Sequence, residues 1–137
     1  MKEFLEAFHT ENDKVELVVQ GSKPLNELIM KCSMLITDYS SVSWDVHYLA
    51  KPVLFYQFDY ELYQKANGSY IDMTRELFGD RCMDQEQLTD CIKEYVRNGF
   101  KEKESYAQMR KEHFAYTDHN NSRRTLEFLK SRGCKKN

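Results

Sequence analysis

No stretch of this sequence is apolar for long enough to cross a bilayer as a helix; the longest apolar run, around Pro52 to Phe58, has the length of a strand. The N-terminus lacks the charged-then-apolar pattern of a secretory signal. No C-x-x-C pair occurs among Cys32, Cys82, Cys91 and Cys134, and His9, His47, His113 and His119 lack metal-ligand spacing. Neither a disulfide framework nor a zinc site is expected, and the thiols read as reduced, in a cytosolic protein. A formal net charge of -2 removes the global electrostatic case for a nucleic-acid partner. Glycine-rich phosphate loops are missing too: neither the G-x-x-x-x-G-K pattern nor G-x-G-x-x-G occurs. There is no internal repeat and no low-complexity segment.

What is present is an ordinary globular composition. The 137 residues are 41% hydrophobic and 31% charged, which suits one compact domain, residues 1–137, around a single core. The C-terminal end is locally basic, with Arg123, Arg124, Lys130, Arg132, Lys135 and Lys136. Such a face meets phosphates or an anionic membrane, or is simply a solvated helix face.

Periodicity divides the chain into alternating elements. Phe4, Leu5 and Phe8 fit a short helix that starts without a cap, so the fold is expected to begin upstream of Met1. Val15-Glu16-Leu17-Val18-Val19 is rich in β-branched residues and predicts a strand. After a Gly21-Ser22 turn, Pro24 suits the first turn of a helix whose face is Leu25, Leu28, Ile29 and Cys32. Met34 to Thr37 predicts a strand; Val42, Val46 and Leu49 then make a helical stripe, ended by Lys51-Pro52. Val53 to Tyr56 is continuously apolar, as in a strand covered on both faces. Gln57 to Gly79 reads as a long structured loop with one short helical turn. Asp84 to Gln87 has the form of a helix start, and Leu88, Cys91, Ile92, Tyr95 and Val96 give a helical face ended by Asn98-Gly99. Ser105 to Phe114 predicts a further helix, and Ser122 caps a last one that carries Leu126 and Leu129 and closes at Gly133. Strands alternating with helices predict an α/β domain with a Rossmann-like parallel sheet flanked by helices. In such sheets a ligand lies beyond the carboxyl ends of the strands.

One such end is the turn Thr37-Asp38-Tyr39-Ser40-Ser41. Adjacent serines before a helix start offer hydroxyls and backbone N–H groups to an anion, or else cap the helix; the pattern fits both. Asp38 suits a ligand hydroxyl or a turn, and Asp45, about one turn into the helix, suits the same crevice or the helix dipole. His47 reads as a surface or half-buried histidine. Tyr56, Tyr60, Tyr63 and Tyr70 offer rings for stacking a nucleobase, though packing accounts for most of them.

These residues carry a resemblance. Leu35-Ile36-Thr37-Asp38-Tyr39-Ser40-Ser41-Val42, then Asp45, then Lys51-Pro52-Val53-Leu54-Phe55-Tyr56, Asp59 and Tyr63 together resemble the CDP-glycerol glycerophosphotransferase family. The likeness is clear from about Leu25 to Tyr70 and looser through Gly79, the helix from Asp84, and Asp118 to Arg123. It implies the C-terminal, donor-binding half of a two-domain GT-B-like enzyme that builds teichoic-acid or capsule polymers. It implies CDP-glycerol or another CDP-polyol as donor, and a polyol-phosphate or lipid-linked polymer as acceptor. Ser40 and Ser41 would lie at the donor pyrophosphate, with Asp38 and Asp45 as the motif's acids and Arg123 as a basic residue near the phosphates. No metal and no cofactor are expected.

The family's catalytic histidine belongs to a His-Pro pair. No such pair occurs here, and His9 is not followed by proline, so that histidine and the acceptor half are expected upstream. The full-length protein is then expected in the cytoplasm, peripheral to the inner face of the cell membrane. Rival readings are a nucleotide-sugar GT-B glycosyltransferase domain, a phospho-acceptor signalling domain, and a non-catalytic module that binds a nucleotide or polymer. The signalling reading is the weakest, because here the lysine-proline pair precedes its strand and the magnesium-binding acids are absent.

Overall fold

The structure, a computed structural model, describes residues 12–68, 72–73 and 75–133. The chain divides into two compact units, Met1–Cys32 and Ser33–Asn137. The helix expected over Met1 to Phe8 lies outside the described residues.

In the first unit the strand expected at Val15 to Val19 does not form. The segment has no ladder partner among the described residues, and Val15, Leu17, Val18 and Val19 are exposed. β-propensity reports how well a side chain fits a pleated, half-buried surface, and without a neighbouring strand it builds nothing. The Gly21-Ser22 turn does form: Gly21 takes φ +83°, and the Ser22 N–H and hydroxyl both donate to the Val19 carbonyl. Helix α1, Leu25–Lys31, follows, with Pro24 as its cap residue in extended conformation rather than inside the first turn.

The second unit holds the sheet. Its elements are β1 (Leu35–Thr37), α2 (Val42–Tyr48), β2 (Val53–Tyr56), α3 (Tyr60–Ala66), β3 (Asp80–Cys82), α4 (Gln85–Arg97), α5 (Glu104–His113) and α6 (Asn121–Ser131). The strands pair in parallel in the order β1-β2-β3. Thr37 faces Phe55 across one ladder, and Phe55 faces Arg81 across the other. The α/β class with a parallel sheet is therefore as the alternating pattern indicates. Central β2 is buried at Val53, Leu54 and Phe55, which explains its unbroken apolar run.

Two features of the Gln57–Gly79 segment differ from expectation. Tyr60–Ala66 is a full helix of two turns, and a third strand follows at Asp80–Cys82. That strand has no β-branched residue to announce it. Its side chains anchor it instead. Asp80 accepts hydrogen bonds from the hydroxyls of Tyr95 (2.7 Å) and Tyr106 (3.1 Å) and from Lys103 Nζ (2.9 Å), which join β3 to α4 and α5. Burial first, and then the Asp80 carboxylate, push both tyrosine hydroxyls well above their ordinary range.

Helix α4 has the start its sequence promises. Asp84 Oδ1 accepts from the Gln87 N–H at 2.8 Å, and Gln87 Oε1 reaches back to the Met83 N–H at 3.0 Å. Of its expected apolar face, Tyr95 is fully buried and Leu88, Cys91 and Ile92 are half-buried, while Val96 is exposed. At the last helix the cap position is held by Asn120, not Ser122, and its side chain makes no capping bond.

His47 departs most from its sequence reading, because it is fully buried at the end of α2. Its ring stacks on Phe78, with centroids 4.3 Å apart, and its Nε2 lies 3.2 Å from His113 Nδ1. Its Nδ1 makes no hydrogen bond and lies 3.5 Å from Glu102, whose carboxylate is already taken by the Arg110 guanidinium. Burial is the main force that lowers the His47 pKa to about 4, followed by the charges of His113 and Arg110. The carboxylate at 3.5 Å would favour the imidazolium, but desolvation outweighs it.

Gly79 lies against β2. A Cβ there would meet the Val53 carbonyl oxygen at 2.2 Å and a Phe55 ring carbon at 3.0 Å. Backbone cannot yield as a flexible side chain can, so Gly79→Ala is expected to destabilise the second unit by about 2 kcal/mol, read as a lower urea midpoint. For His47, the native state favours the neutral ring relative to the unfolded chain at pKa about 6.5. Stability is complete above that value and falls as pH drops from about 6.5 to about 4, by about 3 kcal/mol, with no further loss from this group below pH 4. Unfolding free energies measured across that window should lose this slope in His47→Gln; an identical slope in the variant would show that another group supplies it.

Candidate functional site

The turn that ends β1 is shaped by its own polar groups. The Tyr39 N–H donates to Asp38 Oδ1 at 2.6 Å. The Ser40 carbonyl accepts from both the N–H (3.2 Å) and the hydroxyl (2.8 Å) of Ser43, which is buried. The Trp44 N–H donates to the Ser41 carbonyl at 3.0 Å and so begins α2.

The two serines use their side chains differently. Ser40 Oγ accepts a long bond, 3.4 Å, from the Val42 N–H. Ser41 is the cap residue, but its backbone is helical, at φ -64° and ψ -14°, and its hydroxyl makes no capping bond. A cap hydroxyl reaches the next N–H groups only from an extended backbone. Capping therefore does not account for Ser41, whose exposed hydroxyl stands at a helix start beyond a strand end. Asp38 and Asp45 are exposed beside it, so the turn carries two carboxylates.

Neighbouring strand ends close around this turn. Gln57, the residue after β2, is 0% exposed. Its Nε2 donates to the Asp38 carbonyl (3.4 Å) and to Met73 Sδ (3.7 Å), and its Oε1 accepts from Arg81 Nε at 2.9 Å. The Arg81 guanidinium also lies over the Tyr60 ring, 4.2 Å from its centroid. Tyr39 stacks on Tyr63 with the rings 3.5 Å apart and nearly parallel, and its hydroxyl donates to Asp59 Oδ1 at 3.0 Å. Burial, reinforced by Asp59, drives that hydroxyl far above its ordinary pKa, so it is a donor and not a base.

Asp38, Ser40, Ser41 and Asp45 thus share one turn and the helix start that follows it. Arg123 is exposed in the first turn of α6, and no hydrogen bond or ion pair joins it to the Asp38–Asp45 segment among the described residues. Two of the rings considered for base stacking already have protein partners: Tyr63 has Tyr39, and Tyr60 has Arg81. Tyr56 tilts against Phe58, and Tyr70 lies outside the described residues. Sequence reasoning missed Gln57, Arg81 and the structural part played by Tyr39. A polar residue ending a fully apolar strand was the available signal for Gln57; Arg81 sits in a strand that had none. Among the described residues, no group of three or more His, Cys, Asp or Glu side chains is placed to hold a metal ion.

Comparison with known proteins defines the class. The pattern of the CDP-Glycerol:Poly(glycerophosphate) glycerophosphotransferase family matches residues 3–131, and the chain belongs to this family. It is similar to the minor teichoic acid biosynthesis protein GgaB of Bacillus subtilis (strain 168), 34% identical over 71% of this chain and 11% of the relative. It is also similar to the teichoic acid glycerol-phosphate primase of the same organism, 41% identical over 50% of this chain and 18% of the relative. A third relative is the teichoic acid ribitol-phosphate primase of Bacillus spizizenii, 30% identical over 90% of this chain and 31% of the relative. The matched region thus spans less than a third of each of these proteins.

Gln57→Leu keeps the volume of that buried side chain but strips partners from the Asp38 carbonyl and from Arg81. A loss of about 2 kcal/mol in unfolding free energy is expected, the cost of leaving buried polar groups unpaired. A loss below about 0.5 kcal/mol would mean that water replaces the amide.

Proposed function

We propose that this chain is the donor-binding domain of a glycerophosphotransferase and binds CDP-glycerol at the Asp38–Asp45 turn. The observation that carries this reading is the family match over residues 3–131, which runs through that turn. The unused Ser41 hydroxyl at a helix start supports it, since such a place suits a phosphate oxygen. In this reading Ser40 and Ser41 meet the pyrophosphate. Asp38 and Asp45 accept hydrogen bonds from donor hydroxyls, and Arg123 lies near the phosphates.

The reaction is attack by a terminal hydroxyl of the acceptor on the glycerol-bearing phosphorus. A new P–O bond forms, the pyrophosphate bridge breaks, and CMP leaves. Positioning and charge stabilisation supply most of the acceleration in such transfers. The histidine that takes the hydroxyl proton and the acceptor-binding half belong, in this proposal, to sequence beyond this chain, in a GT-B arrangement. The acceptor is a growing teichoic-acid or capsule polymer. A lipid-linked acceptor would hold the full-length enzyme at the inner face of the membrane.

A second donor, CDP-ribitol, has its own support in the similarity to a ribitol-phosphate primase over 90% of this chain. Calorimetry with CDP-glycerol, CDP-ribitol and UDP-glucose separates these from the nucleotide-sugar reading. Ser40→Ala and Ser41→Ala are each expected to weaken CDP-glycerol binding at least about tenfold, the loss of one hydrogen bond to a charged group. Unchanged affinity in both variants would remove the turn from the site.

A further inference from the structure

An anion at this turn meets two exposed carboxylates, Asp38 and Asp45, and needs a cation to offset them. Three other half-buried cations of the second unit are already neutralised. Arg110 pairs with Glu102 at 3.1 Å, Lys103 with Asp80 at 2.9 Å, and Arg124 with Asp118. Arg81 is half-buried as well, yet no carboxylate lies within ion-pair distance of it among the described residues. Its two partners, the Gln57 amide oxygen and the Tyr60 ring, fix the guanidinium without cancelling its charge. Only Nε is engaged by a hydrogen bond; the two terminal nitrogens, which make the fork that grips phosphate, have no protein acceptor among the described residues.

The placement is also specific. One side chain, Gln57, bonds both the Asp38 carbonyl at the serine turn and the Arg81 Nε, so the guanidinium is one residue removed from that turn. Its charge is felt at the Tyr39 hydroxyl, where it opposes the upward push of Asp59 and Asp38. A partly desolvated, oriented and uncompensated guanidinium, joined through Gln57 to the turn that carries an unused serine hydroxyl, offers the donors and the charge a phosphate requires.

We propose that Arg81 is the phosphate-binding cation of this site, its terminal nitrogens donating to non-bridging oxygens of a nucleoside diphosphate's pyrophosphate beside Ser40 and Ser41. This deepens the donor-binding reading and rests on it. It adds to the Arg123 of that reading a charge-bearing contact on β3. Gln57 and Tyr60 then act as positioning residues, since they touch the guanidinium and not the ligand.

The test is calorimetry on the 137-residue chain with CDP-glycerol and cytidine, and with inorganic pyrophosphate as a bare anion. Arg81→Gln is expected to weaken CDP-glycerol at least tenfold and leave cytidine unchanged, whereas a collapse of the site would weaken both. Arg81→Lys, which keeps the charge but loses the fork, is expected to fall between them. Gln57→Glu adds a carboxylate that neutralises Arg81, and should likewise weaken CDP-glycerol selectively; it serves if Arg81→Gln does not fold. CDP-glycerol affinity within twofold of the parent chain in a folded Arg81→Gln or Gln57→Glu overturns the proposal. If the serine variants lose affinity while Arg81→Gln does not, the donor site stands and Arg81 is excluded from it. If neither CDP-glycerol nor CDP-ribitol binds the parent chain, the donor reading fails. Arg81-dependent binding of pyrophosphate would then still support an anion site here, and pyrophosphate binding that is absent or independent of Arg81 would overturn it.

Discussion

A buried primary amide must satisfy two donors and an acceptor without water, and Gln57 meets that demand by reaching into three separate parts of the chain. Its donors hold the Asp38 carbonyl and Met73, its acceptor holds Arg81, and its own backbone N–H donates to the Cys82 carbonyl at 2.8 Å. None of these bonds is individually strong. Together they fix the relative positions of the serine turn, the segment after α3 and the third strand.

The second unit has two further polar knots, each anchoring helices to the sheet or to each other. Asp80 draws α4 and the start of α5 onto β3 through two tyrosine hydroxyls and a lysine. Glu102, 3.5 Å from His47 Nδ1, pairs with Arg110, and they keep α5 beside the end of α2. Short strands of three and four residues bury little by themselves, so these hydrogen-bonded groups carry packing that longer strands would supply with apolar area.

The sequence made most of the second unit legible, because its first two strands and its helices other than α3, which read only as one short turn in a loop, follow simple periods. The apolar run of β2 and the Asp84 cap each left a direct signature. Three further features were not legible. β3 is set by what Asp80 and Arg81 bond to, and no local pattern encodes a partner. Val15 to Val19 has the composition of a strand and lacks the neighbour that makes one. His47 carries a polar side chain into the core, where contacts from Phe78 and His113, distant in sequence, cover it. At the candidate site, the serines and acids were visible because they are contiguous. Gln57 and Arg81 were invisible because only pairing between strands brings them to the turn. The family resemblance supplied the chemistry proposed for the turn, and the fold supplied the side chains around it.

The sheet order β1-β2-β3 has one more implication. The serine turn is built by the pairing of β1 with β2, while Arg81 arrives by the separate pairing of β2 with β3. Local opening of β3 would carry the guanidinium away and leave the serines where they are. An anion gripped by both would therefore cross-link two strands that never touch, and would add its binding free energy to the retention of the strand with the weakest intrinsic reason to form. Ligand and third strand would then be ordered together, with hydrogen exchange at β3 slowing as the site fills.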